Sequence, residues 1–150
     1  MTETVKNIDA EKVFNVADWI VDEKELKLEK TVKISDKLPA FVIRSLTADE
    51  TTVLEKASVK KVRNKSGQIV ENRDQNRFID KMIELSVVQP PLTNAALQEH
   101  YGTQSAGFSA PAATLRKMLT AGQYSELMVE INTVSGFAED INEDIEEAKN

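Results

Sequence analysis

Between Leu26 and Leu46 the apolar residues tend to fall at alternate positions, whereas from Asp74 onward they recur three and four apart. A strand sends successive side chains to opposite faces, and a helix gathers residues three and four apart on one face. One chain that changes period in this way needs a sheet from its first half and helices from its second. The spacing therefore predicts an α+β fold, with N-terminal β-hairpin elements followed by a mainly α-helical C-terminal half. At 150 residues the chain can withdraw ~70% of its unfolded surface from water, enough for a single compact domain over 1–150 without covalent staples.

Residues 1–9 show no sustained pattern and are expected to be disordered. Asp9 is placed to cap a short helix bearing Val13, Val16, Ala17 and Ile20, which the charged run "DEKE" interrupts. Leu26, Leu28, Val32 and Ile34 then alternate with charged neighbours, Lys30 falls on the same inward side, and "AFVIRSL" returns, so residues 26–46 read as a hairpin. Thr47 and Glu50 have the spacing of a capping box, worth ~1 kcal/mol, ahead of a helix with a narrow apolar side at Val53, Leu54 and Ala57. A Ser66-Gly67 turn between Val62 and Ile69 predicts a second, more exposed hairpin.

From Asp74 a helix presents Phe78, Ile79, Met82, Ile83 and Leu85 and is stopped by Pro90-Pro91. Thr93 is placed to cap a short helix through Leu97 and Tyr101, closed by Gly102. Residues 103–110 are small and uncharged and read as a surface loop. Pro111 opens a helix with Ala112, Leu115, Met118 and Leu119 on its apolar face, which Gly122 is expected to break. The stretch "AGQYSELMVEINTVSGF" follows as a helix carrying Tyr124, Leu127, Met128, Ile131 and Val134, ended by Gly136. Ile141, Ile145 and Ala148 line a last amphipathic helix with acids outward.

Few residues point to a reaction. The absence of cysteine rules out disulfides, thiolate metal sites and cysteine nucleophiles. His100 is the sole histidine and reads as a surface or helix-end residue. No nucleophile elbow, phosphate loop or dinucleotide fingerprint occurs, so the expected chain is not an enzyme and holds neither cofactor nor metal. The mixed charges of "MTETVKNIDAEKV" argue against a signal peptide, and no apolar run reaches the ~18 residues of a membrane span. A net charge of −6 opposes general affinity for nucleic acid. An alternative role as a small nucleic-acid-binding accessory protein would rest on Lys60, Lys61, Arg63 and Lys65, in the basic stretch 56–65, although that stretch lacks aromatic residues for base stacking.

The apolar stripes remain. Each large side chain stabilises a fold by roughly 1.5–3 kcal/mol when buried, so most belong to a core. Several short amphipathic helices after residue 74, few aromatics and four methionines in the chain also suit a groove that moulds itself to an apolar segment of another protein.

Three stretches in order resemble the tail assembly chaperones of long-tailed bacteriophages and Gram-positive prophages. "LPAFVIRSLTADE" is similar to the family's early strand and capped helix, with Pro39, Phe41, Ile43, Leu46 and Thr47 in place. "DQNRFIDKMIELSVVQPPLTNAALQEHYG" resembles its central helix and proline break through Phe78, Pro90, Leu97, Tyr101 and Gly102. "LRKMLTAGQYSELMVEINTVSGF" resembles its most recognisable stretch, with Leu115, Lys117, Met118, Leu119, Gly122, Tyr124, Leu127, Ser135, Gly136 and Phe137 matching and Gln123 standing where an acid is expected. The resemblance implies a non-enzymatic chaperone that binds the tape measure protein and keeps it soluble while the tail tube forms. It further implies contact with the tail tube protein through a frameshift-extended form, action in the cytoplasm of the bacterial host, and absence from the mature virion. Met118, Tyr124, Leu127, Met128, Ile131 and Phe137 are then the expected client- or self-association surface, the latter giving a homo-oligomer.

Overall fold

Phe41 and Ile43 sit at the centre of the structure because strand alternation turns both the same way, into a layer of helices. In the computed structural model, which describes residues 13–137, strand β1 (Glu29–Val32) pairs antiparallel with β2 (Phe41–Arg44), in the register Glu29 to Arg44 and Val32 to Phe41. The hairpin expected over 26–46 is thus present over a shorter span. Val32, Phe41 and Ile43 are buried, while Leu26 and Leu28 are exposed. Lys30 lies opposite Ile43 on the inward-facing side, and its Nζ meets Glu130 Oε2 at 2.6 Å. A cation on that side is tolerated because it is at the rim and paired.

Helix α1 (Glu23–Leu26) precedes β1, and α2 (Ala48–Ala57) follows β2. The predicted capping box of α2 is complete: Glu50 N donates to Thr47 Oγ1 and Thr47 N donates to Glu50 Oε1, both at 3.1 Å. Of its apolar side only Leu54 is buried; Val53 and Ala57 are exposed. Strands β3 (Val59–Arg63) and β4 (Ile69–Arg73) form a separate two-stranded ribbon, closed by Asn64 Oδ1, which accepts from Ser66 N and Gln68 N, and by Gly67 at φ 84°.

Helix α3 (Gln75–Ser86) is capped by Asp74 and buries Met82 and Ile83, with Phe78, Ile79 and Leu85 half-buried. Its last residue leads straight into strand β5 (Val87–Gln89), which pairs with β2 and makes the sheet three-stranded in the order β1-β2-β5. Helices α4 (Ala95–Tyr101), α5 (Ala110–Met118) and α6 (Ala121–Val134) complete the body. Helix α5 packs on α3 and α4, and α6 packs on β1 and β2. Leu115, Leu127 and Ile131 are wholly buried in one cluster with Phe41, Ile43 and Ile83. Together these elements form the α+β domain expected from the change of period.

Several local expectations are corrected. Residues 13–21 hold only a 3-10 turn, Val16–Trp19, capped by Asn15, and its apolar residues are exposed; the proposed Asp9 cap lies outside the described residues. "DEKE" does not interrupt structure, because Asp22 caps α1 by accepting from Lys24 N at 3.0 Å. The chain leaves α3 before the prolines, since Val87 and Val88 extend into the sheet. Asn94, not Thr93, caps α4, because its Oδ1 accepts from Leu97 N at 3.0 Å; Gly102 at φ 69° closes the helix as expected. Residues Gln104–Ser109 form 3-10 turns kinked at Gly107 (φ 61°) that half-bury Phe108 beneath Arg77, whose guanidinium carbon lies 3.9 Å from the ring centroid. Gly122 does not break the helices. The turn is made by Leu119, which is extended, and Thr120, which caps α6 reciprocally with Gln123, so the amide does the capping work of an acid here. The amphipathic helix expected after Gly136 lies outside the described residues.

Arg44 clamps Glu50 in a fork, Nη1 to Oε1 at 2.9 Å and Nη2 to Oε2 at 2.7 Å, tying β2 to the start of α2. Hydrogen bonding from Arg44, joined by the Thr47 amide, lowers the Glu50 pKa to about 2 from its ordinary 4.5. A carboxylate depressed in the folded state contributes stability above its unfolded pKa and loses it as pH falls toward the folded one. Denaturant unfolding at a series of pH values is therefore expected to show the advantage of the parent over Glu50→Gln intact above about pH 4.5 and shrinking toward pH 2. A difference independent of pH across that window would contradict the clamp.

Candidate functional site

Where α3 and α6 diverge above Leu46, they leave a trough. One wall is Phe78, Ile79 and Met82 of α3, the other is Tyr124 and Met128 of α6, and Phe137 stands at its edge. The cavity volume is about 540 Å³. The helices present these residues together for the reason the spacing anticipated: residues three and four apart share a helix face. Polar groups occupy the rim. The Arg73 guanidinium lies 4.1 Å from the Phe78 ring centroid, its Nε donates to Gln75 Oε1 at 2.9 Å, and its Nη1 is 3.7 Å from Glu55 Oε1. Stacking a cation on an aromatic face covers the ring while keeping charge in water. An apolar trough with a charged rim can hold a hydrocarbon-bearing segment and orient its polar flank.

The residues expected at an association surface divide into three sets. Leu127 and Ile131 are wholly inside and hold α6 to the hairpin. Tyr124 and Met128 are half-buried on the trough wall, and Phe137 is 39% exposed at its edge. Met118 belongs elsewhere, on a second apolar pocket of about 280 Å³ with Phe41, Pro90, Leu97 and Tyr101. Lys60, Lys61, Arg63 and Lys65 are exposed along the β3–β4 ribbon and its turn, separate from the trough lining. Arg73, Gln75 and Glu55 were not anticipated. Arg73 is the last residue of β4, and its stack on Phe78 needs the turn geometry at Asp74, which no spacing announces.

Other polar groups are structural. Asp80, almost fully buried on α3, bonds Arg116 Nη2 on α5. Thr103 and Thr114 share a buried hydrogen bond of 2.6 Å. His100 is exposed and stands edge-on to Tyr101, ring centroids 4.8 Å apart. Among the described residues no group of three His, Cys, Asp or Glu gathers as a metal site, and no helix is long and apolar enough to cross a membrane.

Residues 11–149 match the family model of the Phage XkdN-like tail assembly chaperone protein, and the chain belongs to that family. It is 24% identical over 134 residues to the phage-like element PBSX protein XkdN of Bacillus subtilis strain 168, covering 87% of each. The crystal structure of the protein YqbN shares the fold, with a TM-score of 0.62 at 20% identity over 84% of this chain and 99% of that one. Family membership gives the protein a role in phage tail assembly and implies a non-enzymatic action on a tail protein.

Truncation separates core from surface. Leu127→Ala is expected to lower stability by about 2–5 kcal/mol because it opens a cavity, whereas Phe137→Ala should stay within about 0.5 kcal/mol as an exposed change. Denaturant midpoints measure both, and equal losses would contradict the division.

Proposed function

We propose that the trough between α3 and α6 binds apolar helical segments of the tape measure protein and keeps that protein soluble until the tail tube encloses it. The carrying observation is the split within one helix: Leu127 and Ile131 secure α6, while Tyr124 and Met128 on the same stripe remain half-buried on the trough wall. The fold therefore does not consume the entire stripe. A long helical partner exposes repeated apolar faces that would otherwise associate, and a trough with thioether side chains can accept many related sequences. Net charge of −6 keeps such a complex dispersed. Binding without covalent chemistry also allows release, so the protein acts in the host cytoplasm and leaves before the virion is complete.

The test is co-expression with the tape measure protein of the same tail gene cluster. The soluble fraction of the partner should rise with the parent chain and a joint complex should elute together. A Met128→Asp/Phe137→Asp variant that keeps the parent's helical circular dichroism should bind at least about tenfold more weakly, a loss of ~1.4 kcal/mol. Unchanged solubility of the partner with and without the parent would overturn the proposal.

A further inference from the structure

Among the described residues, the largest exposed apolar run lies outside the trough, ahead of the sheet. Val13, Phe14, Val16, Trp19, Ile20 and Val21 are all exposed, Phe14 at 70% and Trp19 at 75%. They form an arm. Its base is fixed where Leu28 N donates to Ser45 Oγ at 2.8 Å and Ser45 Oγ donates to Leu26 O at 2.6 Å. From Val13 to Glu23 the arm carries Asp18, Asp22 and Glu23 and no cation.

On another face, Met118 and Leu38 join two adjoining pockets. One is the apolar pocket with Phe41, Leu97 and Tyr101. The other is lined about equally by polar and apolar groups, with Lys37 and Lys117 beside Asp36. An aromatic side chain followed and preceded by acids matches a hydrocarbon pocket edged by two lysines. We propose that the arm of one copy docks on this double pocket of a second copy, Trp19 entering beside Met118 and Asp18 and Asp22 facing Lys37 and Lys117.

Area favours a second copy as the occupant. Each buried aromatic removes about 150–250 Å², so Phe14 and Trp19 of two exchanged arms, together with the two surfaces that receive them, approach the ~1,200–2,000 Å² typical of a specific interface. Reciprocal exchange is also self-complementary, as a two-fold dimer requires. The arm interface leaves the α3–α6 trough open, so both can be occupied at once, and its existence does not depend on what the trough binds.

Trp19 is the chain's only tryptophan, so its emission reports the arm directly. In the full-length protein, emission is expected to shift to the blue and acrylamide quenching to fall as concentration rises, in step with doubling of mass by sedimentation. Lys37→Glu/Lys117→Glu and Asp18→Lys/Asp22→Lys should each weaken association at least tenfold, and mixing the two variants should restore it as a heterodimer. Trp19 remaining fully quenchable at every concentration would overturn the proposal. So would burial of Trp19 independent of concentration, which places the arm on its own body, or variants that associate no better mixed than alone.

Discussion

The seating of α6 on the β1–β2 hairpin is the constraint from which the other features follow. Leu127 and Ile131 enter the same cluster as Phe41 and Ile43, joining residues far apart in sequence. Two polar links set the alignment: Lys30 reaches Glu130, and Leu46 N donates to Ser135 Oγ at 3.0 Å. With α6 fixed over the sheet at that angle, Tyr124 and Met128 must face α3 across a gap. The trough is thus a geometric consequence of how the two halves of the chain are joined. Apolar burial supplies the attraction, and the paired charges at the rim select one placement among several greasy ones.

Much of this was legible from residue order. The hairpin, the Thr47–Glu50 box, the exposed ribbon and the glycine that ends α4 each rest on local chemistry that tertiary packing did not overrule. Strand β5 was not legible because "LSVVQPP" continues an apolar helix pattern and also suits a short buried strand; a vacant edge on β2 decides between them. The cap at Asn94 displaced Thr93 because two small polar residues stand side by side and only backbone angles choose between them.

The site was legible in part. Five residues on the α6 stripe look alike in spacing, yet two are locked into the core and others line or border the trough. Periodicity identifies a face but not what stands opposite it. The same limit explains residues 13–21, whose apolar spacing suggested a packed helix and whose exposure in the structure shows an arm instead. Family membership then supplies what geometry does not, a place in tail assembly.

Methionine methyl resonances offer the most direct reading of whether the trough is the surface lent to a client. Met82 and Met128 line it, whereas Met118 lies on the other pocket. On addition of a soluble helical fragment of the tape measure protein, the Met82 and Met128 signals should shift together while Met118 holds its position and the global unfolding transition remains cooperative. Binding that moves Met118 and leaves both trough methionines unchanged would contradict the assignment of this trough as the client site.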